Sequence, residues 1–397
     1  MTPASDSPAA SGIGSPSLPD RIAALALAHP VATAILIFAA SRVVVWLVVI
    51  FADLVIAPNR GPGLWNVGEF WFHRLLRWDA GWYMRIVRDG YGVGATPQAE
   101  ASIAFFPLLP ALARGLSTVT GLRGFDALLV VGNLASVVAV GLLVALVRPV
   151  FGPKVAILSA AVLAFTPTSV FLSSAYTEQL ALALVLLMFL VMARGWFWAA
   201  ALAAGLATAA RLTSVAATAA LVAQVVLAGA GPVPRRLLVG GALGAVGLGG
   251  LLAFMAWQAF VFGDPLAFMR SQEAWSGPLG AGDRLWRLVT LRPIRSSNPG
   301  VPWFLACAAL VAIGAWRLPW SWTLYGVLAL AIPYATVGTG AAGLGSMPRF
   351  VLMVFPAAVS AALLLEHRPR LTLAVLAAGA IGLFVITARF SGWHWAG

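Results

Sequence analysis

The sequence predicts an all-α polytopic membrane protein, and three observations predict it. Hydrophobic residues fill 61% of the 397 positions and charged residues 10%, whereas a soluble domain carries roughly 25% charge. Mean hydropathy is +0.93. The apolar residues gather into runs of near-bilayer length divided by short loops that hold arginine, which gives about eleven expected transmembrane helices.

Taken in order, residues 1–28 read as a disordered cytoplasmic N-terminus, with Ser, Pro and Ala dominating the first twenty or so. Residues 29–397 read as a single transmembrane domain. Its first apolar stretch, near Val31 to Ile56, is too long for a signal-peptide core and lacks a convincing cleavage site, so it is a retained anchor. Apolar runs follow at 127–147, 155–172, 179–193, 196–210, 212–228, 237–262, 301–316, 320–337, 349–365 and 371–390. Pro107, Pro110 and Arg114 interrupt the stretch 104–120, which reads as an interfacial or re-entrant helix rather than a crossing.

That choice sets the parity of the chain. The short loops holding Arg148/Lys154, Arg194, Arg235/Arg236, Arg317 and Arg368/Arg370 share the face of the N-terminus. The opposite face collects two long loops, 58–125 and 263–300, with Tyr176-Thr177-Glu178, Arg211 and the Gly-rich turn 338–348. Short basic loops mark the cytoplasm, although the two long loops carry about a dozen arginines themselves; the expectation of a multi-pass plasma-membrane protein with those loops outside rests on the functional reading below.

Composition excludes several classes. The formal charge is +12, nearly all from arginine, since Lys154 is the one lysine. The arginines are dispersed between apolar spans, which suits lipid head groups and phosphates and argues against nucleic acid. A single cysteine, Cys307, excludes an intrachain disulfide and a thiolate cluster. His29, His73, His367 and His394 match no zinc spacing. Asp79, Asp89 and Glu100 share a loop without a short ligand spacing, so no cofactor and no obligatory metal is expected, a divalent cation being left open.

The most informative run is Arg77-Trp78-Asp79-Ala80-Gly81-Trp82-Tyr83. Drawn as one helix, residues 71–88 place Arg74, Arg77, Arg85 and Arg88 on one face. Trp71, Leu75, Trp78, Trp82 and Ile86 fall on the other, continued by Phe72, Leu76 and Tyr83. Asp79 points into that apolar face, where desolvation raises a carboxylate's pKa toward the range of a general base. The alternative is an interfacial helix whose Asp is bonded to backbone or to arginine.

Further polar groups stand in apolar surroundings. Glu178 opens a span, as a helix N-terminal acid favoured by the macrodipole or as a substrate-binding group. Arg211 separates two short apolar segments and Arg349 heads another. A charge at bilayer depth costs about 2.5–3.5 kcal/mol on insertion scales, so both are candidates for holding phosphate, unless they snorkel at the interface. Arg42, near the middle of the first span, needs a carboxylate or carbonyl inside the bundle. Gln272 and Trp275 in the second long loop suit sugar recognition, as does Trp286, although interfacial tryptophans are common. Asp264-Pro265 reads as a turn.

Several motifs occur in order along the chain: Trp78-Asp79-Ala80; Phe105-Phe106-Pro107-Leu108-Leu109-Pro110; Tyr176-Thr177-Glu178; Ala210-Arg211-Leu212-Thr213-Ser214; Phe262-Gly263-Asp264-Pro265; and Met347-Pro348-Arg349-Phe350. This set resembles the PIG-V family of polytopic mannosyltransferases, from about Arg42 onward. The resemblance implies a GT-C glycosyltransferase whose active site lies in the first large outer loop, among interfacial helices. It implies transfer of mannose, with inversion and as an α-mannoside, from polyprenyl-phosphate mannose to a lipid-linked or cell-envelope glycan on the extracytoplasmic face. The family's Trp-Asp pair falls on Trp78 and Asp79, its Tyr-Ser/Thr-Glu acid on Glu178, and its Arg-aromatic position on Arg349. Leu109 stands where the family often has Tyr, so a hydroxyl contact there is missing. Asp79 is then the catalytic base, with Trp78, Trp82, Tyr83, Glu178, Arg211, Gln272, Trp275 and Arg349 around the substrate. A transporter or flippase of lipid-linked sugars is the competing reading, but no inverted repeat stands out.

Overall fold

The computed structural model describes residues 17–55, 71–92, 102–276, 282, 286, 289–290, 298–336 and 343–394. All regular structure among them is helical. Helix α1 (Leu18–Ala28) corrects the expectation of disorder up to residue 28. Ser17 and Asp20 form a capping box with Pro19 in the first turn, satisfying donors that the helix start leaves open. Helix α2 (Pro30–Val55) is the first span, within a residue of its expected limits.

The stretch 71–88 is not one helix. A 3-10 turn, Trp71–Leu75, is followed by α3 (Asp79–Asp89), with a break across 76–78. The periodicity runs through the break because apolar residues pack inward on both sides of it, Leu75 before it, Leu76 within it and Ala80 and Ile86 after it. After residues 102–104 comes α4 (Leu108–Thr120), an amphipathic helix that Pro107 opens and Gly121 closes in a left-handed conformation.

Helix α5 (Gly124–Phe165) joins two expected runs, but Gly152, between Pro149 and Pro153, is non-helical and breaks it. It ends at Phe165, short of residue 172, because Thr166 precedes a proline and turns extended. The chain continues through α6 (Glu178–Ala193), α7 (Phe197–Ala210), α8 (Val215–Ala228), α9 (Val233–Gly247), α10 (Gly249–Phe262) and α11 (Ala267–Ser276). It closes with α12 (Val301–Gly314), α13 (Trp320–Thr336), α14 (Met347–Phe350), α15 (Phe355–Leu365) and α16 (Pro369–Ser391).

The count of about eleven spans is not confirmed. Three described helices, α2, α5 and α16, have the length and apolarity to cross a membrane, or five spans if two bent pairs are counted. Those pairs are α9 with α10, bent by 56°, and Leu344–Met353 with α15, bent by 69°. Other apolar helices are shorter, α6, α7 and α12 among them. Small residues let these pieces approach closely. A Cβ on Gly250 would lie 2.5 Å from the backbone nitrogen of Ala209, so α10 can cross α7 only with glycine there.

The two sets of connections gather at two ends. At one, Arg317 pairs with Glu366 at 3.6 Å and Phe151 packs edge-on against Trp322. At the other lie the start of α3, the unwound segment 166–177, the break at Arg211 and the head of α14. Arg42 organises this second end from inside the bundle. Its guanidinium donates to the carbonyls of Ser169 (2.6 Å) and Ala164 (3.0 Å) and to the hydroxyls of Ser169 (2.8 Å) and Ser173 (2.9 Å). Carbonyl and hydroxyl oxygens, rather than a carboxylate, therefore hold it. They are the orphan acceptors left where α5 unwinds, which must be satisfied internally where water is absent.

Replacing Arg42 by Met strands those acceptors. Each interhelical hydrogen bond in a bilayer is worth about 0.6 kcal/mol, and each buried group left unsatisfied costs about 1–3 kcal/mol. We expect a destabilisation of roughly 2–4 kcal/mol, read as a lower thermal midpoint of the detergent-solubilised protein. A midpoint equal to wild type would show the network to be dispensable.

Candidate active site

Four charged side chains meet where α3, α6, α14 and the break between α7 and α8 converge. Asp79 is the first residue of α3. Its carboxylate is paired with Arg349 Nη1. Glu178, the first residue of α6 and 0% exposed, lies 2.8 Å from Arg211 Nη1 and 3.6 Å from Arg349 Nε. Asp79 thus shares Arg349 with Glu178, which also holds Arg211. Glu178 stands at a helix N-terminus, as the first of its two readings has it, where the dipole favours an acid.

Each charge reaches this point through a local feature of the sequence. Arg211 stands in extended conformation between Ala210 and the 3-10 turn Leu212–Ser214, so the helix break delivers it to the interior. Arg349 lies on the short α14, after the Pro348 that opens it. The two guanidiniums flank the Phe350 ring at 4.4 and 5.2 Å, and Arg349 also lies 5.3 Å from the Tyr176 ring. Aromatic faces favour cations where water is scarce.

Hydroxyl groups close the gaps. Tyr176 donates to the Arg77 carbonyl (3.0 Å). The Tyr83 hydroxyl and Thr177 Oγ1 are 3.4 Å apart, and Arg211 Nη1 donates to Thr177 Oγ1 (3.3 Å). Burial, together with the Glu178 and Asp79 charges and against the Thr177 hydrogen bond and Arg211, pushes the Tyr83 phenol well above its ordinary range. It remains a neutral hydroxyl across the physiological range.

The predicted site residues divide as follows. Asp79, Tyr83, Glu178, Arg211 and Arg349 come together. Asp79 is half-buried, and its partner is Arg349, 270 residues away, and not an arginine of its own loop. The carboxylate keeps 23% of its surface exposed, so the pair is not sealed. Trp82 stacks on Phe105 (5.8 Å), which meets Tyr83 edge-on (5.2 Å), one turn along α3 from the cluster. Trp78 packs against Trp393. Gln272 sits on α11, which packs against residues 102–104; Trp275 lies in the same helix, and its side chain falls outside the described residues. Trp286 is exposed.

Of the arginine face drawn for 71–88, Arg74 pairs with Asp53 (2.5 Å), Arg88 with Asp89 (2.7 Å), and Arg77 turns inward. Burial, reinforced by Arg74 and opposed by Asp53, pulls the Arg77 guanidinium down to about 10, which leaves it charged. Asp264 accepts from the Leu266 amide (3.0 Å) in the expected turn. Two cavities, of about 490 and 570 Å³, lie elsewhere, around Lys154, Glu366 and His367 and around Arg194, Gln224 and Trp322. Among the described residues no three His, Cys, Asp or Glu side chains converge on one point.

A cluster of this kind predicts strong coupling. Arg211→Met leaves Glu178 buried beside Arg349 alone, at 3.6 Å, and breaking a buried pair costs about 3–5 kcal/mol. Glu178→Gln in the same molecule removes the uncompensated charge. We expect the double variant to unfold at a higher temperature than Arg211→Met alone. Additive losses would show that the two side chains do not interact.

Residues 53–228 match the family model of Mannosyltransferase (PIG-V). None of the curated proteins matches the sequence. Among solved structures, ArnT from Cupriavidus metallidurans in the apo state has TM-score 0.51 at 16% identity, covering 91% of this chain and 77% of that one. ArnT bound to undecaprenyl phosphate has TM-score 0.50 at 14% identity, covering 90% and 76%. The apo oligosaccharyltransferase of Archaeoglobus fulgidus has TM-score 0.46 at 13% identity, covering 91% of this chain. Our chain spans little more than half of that protein, 56% of its length. The likeness to ArnT shows an all-helical bundle of the GT-C type. The resemblance read from the motifs is thereby borne out as a match to the PIG-V mannosyltransferase model over residues 53–228, within an all-helical bundle.

Proposed function

We propose that the protein transfers mannose from polyprenyl-phosphate mannose to a hydroxyl of a lipid-linked or cell-envelope glycan, on the extracytoplasmic face of the plasma membrane and with inversion. The observation that carries this reading is the pairing of one partly exposed carboxylate, Asp79, with a guanidinium, Arg349, that a second buried acid also holds. A sugar on a lipid phosphate already has a good leaving group. What remains to be supplied is a base for the acceptor and positive charge for the departing phosphate.

Each residue then has a task. Asp79 takes the proton from the acceptor hydroxyl as its oxygen attacks the anomeric carbon. The bond from that carbon to the phosphate oxygen breaks, and its electron pair leaves on the polyprenyl phosphate. Arg349 and Arg211 face the charge that develops there. A guanidinium has five N–H donors, so Arg349 can bind a phosphate oxygen while still contacting an acid. Glu178 keeps both arginines aimed at the site. Trp82 and Phe105 offer an aromatic face for a sugar ring. The bound state of one structural relative, ArnT with undecaprenyl phosphate, supports a polyprenyl phosphate as the lipid carrier.

The reading is tested with membranes carrying Asp79→Asn and labelled polyprenyl-phosphate mannose. Removing a positioned base lowers a rate by about 10²–10⁴-fold, and we expect a loss in that range with the protein still folded and inserted. Undiminished transfer would take Asp79 out of the mechanism.

A further inference from the structure

We propose that Trp393, just beyond the end of α16, is a positioning residue for Asp79, holding the turn from which the carboxylate is presented. The proposal rests on the reading of Asp79 as the acceptor's base. It concerns a residue 314 positions from that acid and outside the matched segment 53–228.

The backbone supplies the first observation. Trp78 has φ +56° and Trp393 has φ +64°, and among the described residues these two are the non-glycine positions with positive φ. A bulky residue adopts that conformation only where its surroundings impose it. The two outliers meet. Their rings lie 5.7 Å apart at 63°. The Arg77 guanidinium lies 4.8 Å over the Trp393 ring, and its Nε donates to the Ser391 carbonyl at 3.4 Å. From the other side, the Arg77 carbonyl accepts from the Tyr176 hydroxyl. The Arg77–Trp78 peptide is therefore gripped between the end of α16 and the segment that carries Glu178.

The second observation concerns how α3 begins. Trp78 caps this helix without a side-chain hydrogen bond, so no Ser, Thr or Asp side chain sets its entry angle. The direction in which Asp79 leaves the chain depends on the Trp78 backbone, and hence on what holds Trp78. The end of α16 also braces the other acid. Phe390 packs on Phe171 (5.3 Å) and Tyr176 (6.1 Å). A Cβ on Gly382 would come within 2.7 Å of Pro167, so α16 lies directly on the unwound end of α5. One helix end thus refers Asp79 and Glu178 to a common frame, which matters because base catalysis needs its groups closely placed.

The test uses the full-length protein in liposomes with labelled polyprenyl-phosphate mannose. Misplacing a reacting group by about 1 Å can cost some 10²-fold in rate, so Trp393→Ala should lower kcat by about 10–10²-fold. The donor KM and the affinity for free polyprenyl phosphate should stay unchanged, because both arginines remain. Trp393→Phe keeps a ring under Arg77 and should recover most of kcat. Arg77→Met, which removes the same contact from the other side, should repeat the split between kcat and KM and stands in if Trp393→Ala does not fold. Wild-type kcat per folded molecule in Trp393→Ala, a parallel loss of donor affinity, or failure of Trp393→Phe to recover would each overturn the proposal. The two readings fail separately. An inactive Asp79→Asn beside a fully active Trp393→Ala sinks only the positioning role, whereas an active Asp79→Asn removes the base itself.

Discussion

Two carboxylates and two guanidiniums share a volume from which most water has been removed, and much of this end of the fold is arranged to keep them there. Isolated, any of these charges would be expensive in an apolar bundle. Together, Asp79, Glu178, Arg211 and Arg349 balance one another, with Phe350 and Tyr176 supplying ring faces to the cations. Hence no single member can be removed cheaply, and the helices that carry them are fixed relative to each other. Replacing a whole buried ionic set by hydrophobic residues of similar volume is often neutral or stabilising. On the proposed reading the set serves chemistry rather than stability.

The broken helices follow from the same constraint. A continuous helix satisfies its own backbone and directs side chains only sideways. To bring Arg211, Glu178 and Arg349 to one point, the chain opens between α7 and α8, ahead of α6 and after α14. Each opening frees backbone groups that must be satisfied internally. Arg42 does so for the end of α5, taking up the carbonyls of Ala164 and Ser169. One buried cation in the first span thus stabilises the unwound segment that ends in Tyr176, Thr177 and Glu178. Site and scaffold are coupled through it.

Much of this was legible in the sequence, for a definable reason. Asp79, Glu178, Arg211, Arg349 and Arg42 are polar groups in apolar surroundings, where each requires a partner, so their importance could be inferred singly. Their partners could not. The Arg349–Asp79 pair joins residues 270 apart, and Arg42 proved to face carbonyls and hydroxyls that look unremarkable in a row of serines. The break before Asp79 was hidden because helical periodicity continues in phase across Leu76–Trp78. Trp393 carried no signal at all, since a tryptophan after a long apolar helix looks like an interfacial anchor. The N-terminal capping box, by contrast, was present in Ser17-Leu18-Pro19-Asp20 and was masked by the Ser/Pro/Ala composition around it.

Charge balance bears on how such a site would receive its donor. The cluster as it stands holds two acids and two guanidiniums, so a phosphodiester entering it adds one negative charge with no cation left over. On the proposed reading, Arg349 must then divide its N–H donors between the phosphate and Asp79. The carboxylate loses part of its electrostatic partner at the moment the acceptor hydroxyl needs a base. Arg211 is buffered against the same demand, because Glu178 is fully buried and lies 2.8 Å away. The asymmetry between the acids has a physical origin in their exposure: Glu178 is sealed and serves to hold cations, while Asp79 retains access to solvent. On the proposed reading, the accessible acid is the one that exchanges a proton with an incoming hydroxyl, and the two acids take different roles in one ion-pair network.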